Sequence, residues 1–545
     1  MTTPEVALEP PAFGVAGCGV LGAVISSFLF GYSICVLNSC MDLIAVALEW
    51  CGNDWQSDCI GSRTRQGLVN ASLYLGAAIG ALLIGRPTVA ALGSRMQLVA
   101  SSANFAIGAL LAALSVSSTM LVIARFVAGL GLGVSAIAAP LYIAEISPRE
   151  RRGINAAMHG VFITLGILAS IALGIPQGPP PQDALHPLAG LDSYYWRGLL
   201  GLPLVLSFAQ MVWFTALYPT DPPSLLVQRD RVEDARDVLF SIYGMKASAS
   251  AGVGDREQAA LALQLKELCM AVDEAKKVPR IKVVQAIGDK KYFRFAVLLG
   301  VGLAAFQQLC GINGLMSYSN SLFAEAGIPA SSLTLASTCM ATANVFASLL
   351  SSRLVDNLGR RTLLLIGSFC QTVAMALLMV AMGLESSGLG PSWLAGLVAV
   401  VCFTVFVMSF SFGLGAVTWL YLTEIYTMEI RGPCLSACGV INWLSSFVVV
   451  FGTRFLTLAS ACCIFGIVCF VGFLGTYLWV VETKGCSMDD SPVTPRSGRA
   501  SSTLLTPTGS PRGEYTKMGA GDDEDDDDSD EEGPESGGRA KRAAA

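Results

Sequence analysis

Leu141-Tyr-Ile-Ala-Glu-Ile-Ser-Pro-Arg-Glu-Arg-Arg-Gly153 and Leu420-Tyr-Leu-Thr-Glu-Ile-Tyr-Thr-Met-Glu-Ile-Arg-Gly432 are two copies of one stretch. Seven of the thirteen positions match without a gap, at an offset of 279 residues. A second pair, Leu92-Gly93-Ser94-Arg95 and Leu358-Gly359-Arg360-Arg361, lies upstream of each copy. Chance similarity between apolar segments does not produce matched Tyr, Glu, Arg and Gly at fixed spacing. The chain is duplicated, and each copy of the longer stretch closes the fourth apolar run of its own half.

The apolar runs fall near 15–37, 67–85, 97–118, 121–143, 155–176 and 197–218, and then near 293–316, 333–354, 362–383, 394–421, 433–457 and 459–481. Each is close to the roughly 20 residues a helix needs to cross a bilayer. Composition agrees: of 545 residues 53% are hydrophobic and 14% charged, against about 25% charged in a soluble domain. Mean hydropathy is +0.59. These values exclude a water-soluble enzyme, a secreted disulfide scaffold and a nucleic-acid binder. The expected fold is an all-α polytopic membrane protein of about twelve helices in two six-helix halves, 15–218 and 293–482. Residues 1–14 precede them, a linker of amphipathic helices over 219–292 joins them, and a tail follows from 483.

Basic residues of short loops mark the cytoplasmic side. Arg86, Arg95, Arg149, Arg151, Arg152, Arg360, Arg361 and Arg431 all follow even-numbered spans, which places both termini in the cytoplasm. From Lys484 to Ala545 stand 14 acidic and 8 basic residues, so the tail holds the whole net charge of −6 and the other 27 basic and 27 acidic residues cancel. A tail rich in Ser, Pro and Gly that ends in the acidic block from Asp522 to Glu532 has no core to bury and reads as disordered. Most of the 16 cysteines sit singly in apolar runs and behave as small hydrophobes. Cys51 and Cys59 lie instead in a polar loop expected to be extracellular, where a disulfide is favoured over two free thiols. With two histidines and no paired Cys/His spacing, neither a metal nor a cofactor is expected. No Walker-type phosphate loop is present.

Two parallel repeats of six spans describe a transporter whose halves rock about a site at their interface near the midplane. The duplicated charges suggest how: Glu145 and Arg152 in one half, Glu424 and Arg431 in the other, with Arg95, Arg360 and Arg361, are placed to form pairs across the halves that close one end. The simpler alternative is that these arginines only set orientation.

At this point the residues resemble a family, the sugar porters of the major facilitator superfamily. Pro140-Leu-Tyr142 through Glu145, Pro148 and Arg152-Gly153 is similar to its motif after span four. Arg125-Phe-Val-Ala-Gly129-Leu-Gly131-Leu-Gly133 is similar to its span-four motif. Gln307-Gln308-Leu-Cys-Gly311-Ile-Asn313, Asp356-Asn-Leu-Gly359-Arg360-Arg361, Asn442-Trp443 and Val481-Glu482-Thr-Lys-Gly485 complete the set. The resemblance spans about 15–485. Phe30-Gly31-Tyr32, Val36-Leu37-Asn38, Glu49-Trp50-Cys51, Met158-His159, Phe162-Ile-Thr-Leu-Gly166, Ser317 and Asn320 look most like the hexose transporters of apicomplexan parasites.

The resemblance implies a pyranose held by Gln307, Gln308, Asn313, Asn344, Trp419 and Asn442, with Trp443 in gating or packing. The chemistry agrees independently: a neutral polyol needs amides that donate and accept and an aromatic face, with no counter-charge. Amides within apolar spans are costly unless used, although helix–helix bonding is a use of its own. The sequence departs from the family at Gly160, where a substrate glutamine stands elsewhere, at Ala416 and Thr418 in place of prolines, at Ser94 and at Val481. Proton symporters resembling this family carry an Asp where this chain has Ser33, and no span holds a midspan Asp or Glu. Expected, then, is facilitated diffusion of hexoses, chiefly D-glucose with D-fructose as a second candidate, by a monomer in the plasma membrane. The alternatives are a proton-coupled hexose or myo-inositol carrier using Asp42 or His159, and a transporter-like nutrient sensor signalling through its tail.

Overall fold

The structure is a computed structural model and describes residues 14–51, 59–84, 87–177, 191–244, 255–278, 281–289, 293–389, 392–485 and 493. The N-terminal segment before Gly14 and the acidic tail, apart from its first residues and Val493, lie outside the described residues. Among these, twelve helices are long and apolar enough to cross a membrane. In the first half they are α1 (Val15–Cys35), α2 (Ile60–Ile84), α3 (Gly93–Ala113), α4 (Ser118–Ile146), α5 (Arg149–Ala172) and α6 (Tyr194–Leu217). In the second they are α7 (Arg294–Ser317), α8 (Ala330–Ser351), α9 (Arg360–Ser386), α10 (Trp393–Ile425), α11 (Met428–Thr453) and α12 (Leu458–Trp479). Local chemistry sets several ends. Ser117 and Thr457 cap α4 and α12 by accepting from Met120 N at 3.2 Å and Ser460 N at 3.3 Å.

Helices in lipid gain little from apolarity alone, so close packing through small residues holds them together. The span-four glycine motif shows why. A Cβ on Gly133 would lie 2.1 Å from the Ala77 carbonyl oxygen of α2, and one on Gly129 equally close to that of Leu73. Only glycine lets these two backbones approach. α1 meets α5 and α9 meets both α10 and α12, while α2 packs on α11 and α5 on α8 across the halves.

Four features lie beyond what hydropathy shows. A short helix, Met41–Ala47, follows α1. α2 starts at Ile60 rather than near 67, because its first turns take Arg65 to the Trp50 carbonyl at 3.1 Å. α7 is broken: its first part ends at Leu309, Gly311 takes φ +101°, and Ile312–Ser317 continues at a new angle. α10 carries a π-helical segment at Ser411–Gly415, a form that recurs at functional sites.

The linker is helical as its pattern predicts, with Pro223–Gln228, Val232–Ile242, Asp255–Lys277 and Val283–Gly288. Leu226, Val227, Ala235 and Val272 form a small core of their own, and Arg149 reaches Glu267 at 2.6 Å. Cys51 and Cys59 are joined in a disulfide. The disulfide lies at one end of the helices and the arginine-rich loops lie at the other.

Candidate functional site

The break in α7 and the π segment of α10 face the same buried amides. Gln307 and Gln308 end the first part of α7, and Asn313 lies in the second part. The turn at Gly311 brings Asn313 Nδ2 back to Gln308 Oε1 at 2.7 Å. Asn442 on α11 is the hub. Its Nδ2 donates to Gln307 Oε1 at 2.7 Å and to the Ala304 carbonyl at 3.0 Å, and its Oδ1 accepts from Gln308 Nε2 at 3.2 Å. Gln307 Nε2 in turn donates to the Leu414 carbonyl of the π segment at 2.8 Å. Ser411, from the same segment, donates to Asn344 Oδ1 on α8. The five amide side chains are all at least nine-tenths buried.

The six residues expected from the resemblance thus fall into one region. Gln307, Gln308, Asn313 and Asn442 form a single network, and Asn344 reaches it through the π segment. Trp419 lies a turn further along α10, its ring 4.0 Å from a Cβ built on Gly439 of α11. It is 36% exposed although Thr418, Tyr421 and Leu422 around it are buried completely. Ser411, Ser446 and the Leu414 carbonyl are partners the sequence reading missed. Ser446, which accepts from Asn313 at 3.3 Å, sits one turn after Asn442, and that spacing was the available signal. Gly160, where the family pattern has glutamine, faces α8: a Cβ there would lie 3.7 Å from Ser348 Oγ and touch nothing else.

The halves are latched at the disulfide end. Asn38, just past α1, donates to Ser319 Oγ at 2.9 Å and accepts from the Asn320 backbone at 3.2 Å. Ser337 donates to Asn320 Oδ1 at 2.6 Å and extends the latch to α8. Arg454 Nε donates to Gln66 Oε1 at 2.6 Å. Deeper in, the Trp443 ring packs on Phe30 and Tyr74 of the other half, with centroids 5.7 and 6.2 Å away. Trp443 is therefore part of the packing that joins the halves.

At the arginine-rich end Arg95, Glu145, Arg360 and Glu424 bond within their own half or the adjoining linker. Arg95 bonds Asp221 at 2.6 Å and the Phe214 carbonyl at 2.8 Å, both in its own half or the adjoining linker. Glu145 accepts from Ser94 at 2.6 Å and Ser224 at 2.9 Å. In the second half Arg360 grips Glu424 at 2.9 and 3.2 Å. Glu482 accepts from the Arg360 and Arg361 amides at 2.8 and 3.0 Å, where a carboxylate suits the start of α9. Arg361 reaches the Tyr477 carbonyl, Arg431 the Tyr426 carbonyl, and Arg152 is exposed. Arg95, Glu145, Arg360 and Glu424 are thus held within their own halves while the two are latched at the far end.

A twelve-helix body of two such halves around a polar midplane site is the major facilitator fold. Two solved structures of the E. coli xylose transporter XylE share it, at 21% identity and TM-scores of 0.67 and 0.68. One is the proton:xylose symporter bound to 6-bromo-6-deoxy-D-glucose and the other a partially occluded inward-open conformation. Each comparison covers 87% of this chain, and 98% and 99% of XylE respectively. The chain belongs to the sugar (and other) transporter family, whose profile matches residues 19–493. Among its relatives are hexose transporter 1 of Toxoplasma gondii, 32% identical over 90% of this chain and 86% of that one, and hexose transporter 1 of Plasmodium falciparum, 28% identical over 87% and 91%.

Proposed function

We propose that the chain carries hexoses, chiefly D-glucose with D-fructose as a second candidate, across the plasma membrane by facilitated diffusion and alternating access. The observation that carries this reading is the amide network of Gln307, Gln308, Asn313 and Asn442. In it uncharged donors and acceptors are bonded to one another and exchange those bonds for sugar hydroxyls at little net change. The named relatives support a hexose as substrate. A latch at the disulfide end and charge clusters held within each half at the other fit an inward-facing state, with both termini in the cytoplasm. In this reading residues 15–218 and 293–482 rock as units joined by the linker 219–292, and the protein acts as a monomer. Trp419 lines the opening, while Glu145, Arg152, Arg360, Arg361, Glu424 and Arg431 close that end when the halves rock back.

Two features favour uniport over proton coupling. Ser33 lines a small cavity together with Arg125, where a symporter of this family would carry a carboxylate. His159 is engaged by Ser27 Oγ at 2.8 Å between α1 and α5. Outside the spans, burial pushes the Cys40 thiol and the Tyr318 hydroxyl up to about 12, so both stay neutral at physiological pH. The test is radiolabelled D-glucose uptake in a host without its own hexose carriers, with competition by L-glucose, D-fructose and myo-inositol. Saturable uptake blocked by D-fructose and untouched by L-glucose fits the proposal. Competition by myo-inositol alone contradicts it. Absence of flux from protein at the surface favours a sensor, and deleting the tail without loss of uptake speaks against one.

A further inference from the structure

Arg125 sits in α4 with 4% of its surface exposed, inside the membrane-spanning body. Its Nε and Nη2 have no hydrogen-bonding partner among the described residues. The groups that act on it electrostatically are Tyr74, Cys35, Cys40 and Tyr318, and none is a carboxylate. A guanidinium stays charged under all ordinary conditions, and an uncompensated buried charge is among the costliest features a fold can carry. Among the described residues no carboxylate is within reach to neutralise it directly.

Beside Arg125 lies a cavity of about 20 Å³ lined by Ser33, Val36, Phe105, Ala109 and Leu200. Roughly 10–15 Å³ of such space holds one water-sized body. A monatomic anion is of that order of size. Ser33, itself 4% exposed, brings a hydroxyl donor to the same space from α1. The remaining lining is apolar, which suits a weakly hydrated halide and strengthens its attraction to the guanidinium.

We propose that this cavity is a chloride site, in which the anion neutralises Arg125 and ties α1 to α4. The site is separate from the amide network and does not depend on which sugar is carried. A ligand that binds only the folded state raises its stability in a saturable way.

The test uses the purified full-length chain in nanodiscs, melted by intrinsic tryptophan fluorescence at matched ionic strength in chloride, bromide, gluconate and sulfate. The expected result is a midpoint several degrees higher in chloride than in gluconate, saturating with concentration, with bromide substituting and sulfate not. Ser33→Asp places a fixed carboxylate in the cavity and should abolish the chloride response. Arg125→Gln, which removes the charge, should abolish it too, so the proposal stays testable if either variant fails to fold. Equal wild-type midpoints in chloride and gluconate would mean that the cavity holds water only, and would overturn the proposal. A chloride response surviving in either folded variant would overturn it as well, since the anion would then act elsewhere.

Discussion

Replacing Asn442 by alanine removes three hydrogen bonds at once: those to Gln307 Oε1 and the Ala304 carbonyl, and that from Gln308 Nε2. Side-chain bonds between membrane helices average about 0.6 kcal/mol, so three amount to about 2 kcal/mol of stability. The fold should survive that loss, since α11 is also held by Trp443 packing against Phe30 and Tyr74. The larger effect falls on the sugar. An amide that both donates to and accepts from hydroxyls is lost, and its two glutamine partners are left unpositioned. One or two such bonds, about 1–2 kcal/mol, raise KM roughly 5- to 30-fold. The assay is initial-rate D-glucose uptake over a concentration series, normalised to surface-labelled protein. Thr404→Val, which removes only a bond within α10 to the Val400 carbonyl, should leave KM unchanged. An Asn442→Ala protein with normal surface level and normal KM would mean that the network is helix–helix structure alone and binds no sugar.

Gly160→Gln places an amide in open space facing Ser348; it should lower the KM for D-glucose and shift hexose preference, read from competition curves. Gly133→Ala drives a Cβ to 2.1 Å from the Ala77 carbonyl. Forcing the helices apart should cost about 1–3 kcal/mol or more, seen as a lower melting midpoint and less protein at the surface. Glu424→Gln leaves Arg360 without its carboxylate at a position 14–15% exposed. The cost should fall below the roughly 3–5 kcal/mol of a fully buried pair, and Vmax should drop with little change in KM, because the pair lies away from the amides.

The spans were legible because twenty consecutive apolar residues have few other uses, and the amides because a polar side chain in such a run is conspicuous. Asn442 and Gln308 stood out for that reason. The break at Gly311 and the π segment at Ser411–Gly415 did not, since both lie inside uninterrupted hydropathy: the first packs on Phe465 of α12 and the second on α8 and α9. Arg125 belonged to a motif, yet a residue string does not say whether a guanidinium finds a partner. The latch of Asn38, Ser319 and Asn320 was hidden for a similar reason: polar residues at the ends of spans look like ordinary membrane edges. The repeated charges were visible, but which half each pairs with depends on the conformation, and a sequence encodes all of them at once.

In the proposed uniport, a neutral amide site with Ser33 beside Arg125 moves sugar without moving protons. Proteoliposomes of the purified chain, loaded at one pH and diluted into D-glucose at a lower pH, test it directly. Uniport gives saturable entry that stops at equal concentrations inside and out and ignores the pH difference. Accumulation of sugar above equilibrium, driven by the acid side and abolished by a protonophore, would contradict it.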